Sequence, residues 1–103
     1  MNLWIDDCKP APEGWAVART YDEAVRLLGS FDYDEVAFDH DLGDTSVPER
    51  TGYDLLCEIE RGDLRRPSRA QIISWNPVGR RRMAVVISRL YDQGPQPGNP
   101  EED

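Results

Sequence analysis

The chain has 103 residues, of which 39% are apolar, 9% aromatic and 31% charged, enough for one compact soluble domain and too short for two. Twenty acids oppose twelve bases, a formal charge of −8, which disfavours general affinity for duplex nucleic acid because that relies on neutralising phosphates. No apolar run approaches the roughly 18–20 residues of a membrane span, and the start, Met1-Asn2-Leu3-Trp4, lacks the basic region of a signal peptide. Neither membrane nor secretion is expected, and the cytoplasm is the default.

In chain order, Leu3-Trp4-Ile5 predicts a first strand stopped by Asp6-Asp7, followed by a Pro/Gly loop over Lys9–Gly14. Ala16–Arg19 predicts a second strand. Thr20 with Glu23 has the spacing of a capping box, opening a helix from Tyr21 to Leu28 that Gly29 is expected to stop. Val36–Phe38 predicts a third strand ended by Asp39-His40-Asp41. After a loop from Leu42 to Arg50, with Asp44 in it, a helix is expected over about Gly52–Glu60 and ended by Arg61-Gly62. Gln71–Trp75 predicts a fourth strand. Asn76-Pro77 then supplies an N-cap and a first-turn proline for a helix through Met83, Val86, Ile87 and Leu90. The Gly/Pro/acid composition of 93–103 predicts a disordered tail, leaving 1–92 as the domain.

Strands alternating with helices imply a parallel sheet, here of about four strands, with helices on both faces and a ligand edge at the strand C-termini. Trp4, Trp15 and Trp75 are expected in the core, with stacking on a nucleotide base the alternative for Trp75 or Trp15. Cys8 and Cys57 form neither a disulfide framework nor a zinc spacing. Cys57 fits a small buried residue, and Cys8 lies beside acids that disfavour a thiolate.

Every unusual polar cluster follows a predicted strand. Asp6 and Asp7 follow the first, Asp39, His40 and Asp41 the third, and Ser74 and Asn76 the fourth. Four carboxylates gathered at one edge repel each other and require a cation or raised pKa values. An all-oxygen set suits Mg²⁺ or Mn²⁺ rather than zinc. In a strictly extended segment His40 points away from Asp39 and Asp41, so a role at the site requires the chain to turn there. The last helix offers N–H groups and Arg80 to an anion, with Gly79 permitting close approach and Arg81 and Arg82 in solvent. Thr51 and Lys9 are further candidates for substrate contact.

An acidic pair after the first strand, an Asp after the third and a Ser after the fourth resemble the two-component receiver domain. That resemblance implies Asp6 and Asp7 as the metal-holding pair, Asp39 at the phosphoryl-accepting position and Ser74 at the hydroxyl position. The chain departs from it in showing no fifth strand and no lysine after Ser74. A closer resemblance, spanning nearly the whole folded region, is to the cyclic-phosphate processing receiver domain family. It is carried by Leu3–Trp15, by Phe38–Gly43 (Phe-Asp-His-Asp-Leu-Gly), by Thr51–Asp54 (Thr-Gly-Tyr-Asp) and by Ser74–Met83 (Ser-x-Asn-Pro-x-Gly-Arg-x-x-Met). This implies a receiver-like, flavodoxin-like three-layer α/β sandwich lacking the fifth strand, and processing of cyclic phosphates on nucleotide or ADP-ribose-type compounds. Stand-alone members in bacteria and bacteriophages imply a place in nucleotide-signal conflict.

The expected function is a metal-dependent phosphoesterase. Asp6, Asp7, Asp39 and Asp41 supply metal ligands, His40 with Asp39 and Asp41 the chemistry, and Lys9, Thr51, Ser74, Asn76 and Arg80 the phosphate and substrate contacts. Two alternatives stand beside it: a module that sequesters a cyclic nucleotide without cleaving it, and a degenerate phosphoacceptor receiver. The expected partner is a small nucleotide or cyclic-phosphate ligand, with a homo-oligomer possible through the open sheet edges.

Overall fold

A computed structural model describes residues 1–91; the expected tail over 93–103 lies outside the described residues. The elements run β1 (Asn2–Ile5), β2 (Ala16–Ala18), α1 (Tyr21–Ser30), β3 (Glu35–Phe38), α2 (Gly52–Arg61), β4 (Arg69–Ile72) and α3 (Pro77–Tyr91). The four strands form one parallel sheet in the order β2-β1-β3-β4, so the chain is α/β and receiver-like. Among the described residues there is no fifth strand.

Register follows from alternation along each strand. Leu3 pairs with Ala16 and Val36, and Ile5 with Ala18 and Phe38. Ala70 and Ile72 continue the same two rows on β4. These side chains join a single core with Tyr21, Ala24 and Leu28 of α1, Leu55, Leu56 and Ile59 of α2, and Met83 and Val86 of α3. The three- and four-residue spacing on each helix makes one apolar stripe. Burying such side chains contributes roughly 1.5–3 kcal/mol apiece before entropy is counted.

The expected helices on both faces are not what forms. From β2 to β3 to β4 the chain moves in one direction across the sheet, and right-handed crossovers then put α1 and α2 on the same face. α3 packs against α2 and joins that layer. The β1–β2 link, residues 6–15, contains no helix to cover the other face. There Trp15 packs edge-on against Trp4 at 5.8 Å, Val17 is exposed, and Glu35 accepts from Arg69 and Gln71.

Three local expectations also shift. α1 runs through Gly29 to Ser30, where the Phe31 N–H closes it on the Leu27 carbonyl. Thr20 Oγ1 accepts from Glu23 N as expected, but the Glu23 carboxylate accepts from Arg19 N instead of closing the box on Thr20. The fourth strand begins at Arg69 and ends at Ile72, because β3 pairs with that stretch. Trp75 therefore lies beyond the sheet and is 84% exposed instead of sitting in the core.

Candidate functional site at the strand ends

Asp6 leaves β1 with its N–H bonded to the Ala18 carbonyl. Its Oδ1 accepts from Cys8 N at 3.0 Å and Lys9 N at 3.1 Å, an aspartate-capped turn that folds Lys9 back over the strand end. Arg19 Nη1 fastens this turn by donating to the carbonyls of Asp6 and Lys9. Nothing in the sequence marked Arg19 for that work, since its partners are backbone atoms.

The Lys9 ammonium then stands where three strands end. It donates to the Ile73 carbonyl at 3.0 Å, lies 3.2 Å from Asp6 Oδ2 and is 3.9 Å from Asp39 Oδ2. Asp6 is wholly buried, and its Oδ2 accepts no hydrogen bond; the ammonium faces it as an ion pair only. Burial pushes the Asp6 carboxyl up, but the two N–H bonds and the ammonium outweigh it and hold the group below the usual range. Asp39 goes the other way. It is 8% exposed, and burial together with the negative charges of Asp6 and Asp41 raises it, against the His40 N–H bond and the Lys9 charge. The two neighbouring carboxyls are thus pushed in opposite directions, Asp6 down by its hydrogen bonds and the ammonium, Asp39 up by burial and like charge.

The Asp39–His40 segment turns because two helices press on it. Asp39 N still bonds the Ile5 carbonyl, but the His40 carbonyl accepts from Gly52 N at 2.9 Å, so the chain has left the sheet ladder. A Cβ on Gly52 would lie 1.9 Å from the Asp39 carbonyl oxygen, and one on Gly79 would lie 2.5 Å from Cγ of the His40 ring. Both glycines are there to let α2 and α3 close on this segment. Gly79's close approach, expected toward an anion, is toward His40. The ring bonds Asp41 Oδ1 through Nδ1 at 2.8 Å. Because a carboxylate only accepts, Nδ1 carries the proton in this hydrogen bond, and in the tautomer it selects Nε2 keeps its lone pair.

The remaining expected residues are distributed as follows. Asp7 is exposed with its Oδ2 against Gly43, and Asp6, Asp7 and Cys8 have ligand atoms within 4.8 Å of one another. Asp39 is outside that close group and reaches Asp6 through Lys9. Asp41 is given to His40. Thr51 donates its N–H and its hydroxyl to Asp54 at the start of α2. Asn76 Oδ1 caps α3 by accepting from Val78 N and Gly79 N. Ser74 is buried; its Oγ accepts from Asn76 N and its carbonyl from Arg80 Nη1. Arg82 is in solvent as expected, with its guanidinium 4.0 Å over the Tyr53 ring. Cys8 is exposed, and the Asp7 charge together with desolvation raises its thiol.

Beyond Gly43 lies a cavity of about 390 Å³ lined by Thr20, Tyr21, Asp22, Leu42, Asp44 and Arg50. Arg50 grips Asp44 with two nitrogens, reaches Asp22 and lies over the Tyr21 ring. The guanidinium is thus already engaged, and it holds the 42–50 loop in shape.

A four-stranded parallel sheet with buried acids at the ends of its two central strands defines a receiver-like α/β domain. A family model described as the cyclic-phosphate processing receiver domain matches residues 1–89, and the chain belongs to that family. No curated protein and no solved structure matches it.

Proposed function

We propose that this domain hydrolyses a cyclic phosphate ester on a nucleotide or ADP-ribose-type compound, with a divalent cation. The observation that carries the reading is the pairing, at one sheet edge, of the Asp6–Lys9–Asp39 set with an Asp41-oriented His40. Hydrolysis of a cyclic diester needs water to add at phosphorus while one ring P–O bond breaks, giving a monoester and an alcohol. His40 Nε2 takes the proton from water, and the same ring returns it to the departing oxygen. Asp41 holds the tautomer that makes this possible. Lys9 and Arg80 offset the charge that gathers on the phosphoryl oxygens.

The residues suit Mg²⁺ or Mn²⁺: all the available carboxylate donors are hard oxygens, and Asp6 Oδ2 is buried without a hydrogen-bond donor. Asp6 and Asp7 would hold the ion, with Asp39 on the far side of Lys9. Such an ion polarises phosphoryl oxygen and lowers the pKa of bound water.

Incubating the protein with nucleoside cyclic phosphates and Mg²⁺ or Mn²⁺, followed by ³¹P NMR, tests the reading. Conversion of the cyclic signal to a monoester is expected, and chelation by EDTA should stop it. Recovery of intact ligand after heat release would instead make the domain a binding module.

A further inference from the structure

The exposed indole of Trp75 sits at the same edge as these carboxylates. Its position is imposed by its neighbours. Ile73 N bonds the Phe38 carbonyl, and the Ile73 carbonyl takes the Lys9 ammonium. Ser74 is buried, with Oγ tied to Asn76 N and its carbonyl tied to Arg80. Asn76 is committed to the α3 cap. The backbone on both sides of Trp75 is therefore pinned, so the indole leaves the chain at a fixed point of this edge. A large aromatic that is 84% exposed beside the site offers a face on which a ring can stack.

We infer that Trp75 is the platform on which the base of a nucleotide ligand stacks while its phosphate lies toward Lys9, Arg80 and His40. This rests on the cyclic-phosphate reading of the site and adds a selectivity to it. Aromatic stacking accepts any base because each has a π-face, so the contact favours nucleotides over base-free cyclic phosphates without choosing among bases. The Arg80 guanidinium, bonded to the carbonyl just before Trp75, places positive charge where a nucleotide carries its phosphate.

Calorimetric titration of the wild type, Trp75→Ala and Trp75→Phe with three probes tests this: adenosine 2′,3′-cyclic phosphate, adenosine monophosphate and glycerol 1,2-cyclic phosphate. Trp75→Ala should weaken both adenine nucleotides roughly five- to hundredfold, the range that stacking on one aromatic contributes. Trp75→Phe should stay within about threefold of wild type, and the glycerol compound should bind both variants as it binds the wild type. Equal nucleotide affinity in Trp75→Ala, equal weakening of all three probes, or no adenine nucleotide bound by the wild type would each overturn the stacking role. Trp75-dependent binding of adenosine monophosphate, with neither cyclic phosphate bound, supports the platform and overturns the cyclic-phosphate reading instead.

Discussion

Lys9 is the only cation shared by Asp6 and Asp39 in the described site, and removing it makes a direct test of the electrostatics. Lys9→Met leaves Asp6 buried with no positive partner, a loss of about 1–3 kcal/mol, below the value for a fully buried pair because Lys9 is one-third exposed. Asp6 is depressed in the folded protein, so its stabilisation is present above the ordinary aspartate pKa of about 3.9 and is lost as pH falls through its lower folded value. Wild type and variant should therefore differ most at neutral pH and converge in acid, which a series of melts across pH would show. Mg²⁺ should raise the melting temperature of Lys9→Met more than that of wild type; equal shifts would argue against an ion at Asp6. Asp39 has the opposite sign. A carboxyl whose folded pKa is raised favours folding while protonated, and that stability disappears as pH rises through the raised value. Asp39→Asn, which keeps an acceptor for His40 N, should gain about 0.5–2 kcal/mol at pH 7 and lack the decline above the aspartate range.

His40, Gly52 and Gly79 tie the chemistry to whole elements. His40→Ala should cost on the order of 10²- to 10⁴-fold in turnover while ligand binding persists; unchanged turnover would remove the imidazole from the mechanism. Gly52→Ala forces a methyl onto the Asp39 carbonyl, a backbone atom that cannot move aside, and should cost about 1–3 kcal/mol or more. Gly79→Ala instead meets the His40 side chain, which can make room only by swinging about Cα–Cβ and giving up its Asp41 bond. Its stability cost should shrink when His40 is also Ala, a coupling of roughly 0.5–3 kcal/mol measurable by a double-mutant cycle. An additive result would mean that α3 does not rest on His40.

For the whole molecule, one core and one helical layer imply a single cooperative transition. A cyclic nucleotide held at 100 times its Kd should add about 2.7 kcal/mol, and for a domain of this size each kcal/mol moves the melting temperature by roughly 4–8 °C. A screen of cyclic and linear nucleotides should therefore separate ligands from bystanders plainly. The open sheet face, with Trp4 and Val17 on it, is a consequence of chain direction: two crossovers progressing the same way cannot cover both faces.

Much of the site was legible in the sequence because strand ends are marked locally. Acids, prolines and glycines interrupt the apolar runs, and parallel topology gathers those interruptions at one edge, so Asp6, Asp39, His40 and Ser74 could be singled out. The class of fold was legible for the same reason, since the three- and four-residue apolar spacing and the short β-rich runs are periodic signals. What chain order conceals is direction and partnership. That Lys9 bridges three strands, that Asp41 orients His40, that Thr51 and Asn76 turn their side-chain oxygens to helix caps, and that Arg19 holds the first turn through carbonyls all depend on atoms distant in sequence or carried by backbone. Trp75 reads as core from its type and its place after Ile72-Ile73, yet lies outside because the β3 pairing ends three residues earlier, at Ile72. Periodicity determined which segments are strands and helices; the tertiary pairing decided where each one stops, and with it which side chains meet at the edge.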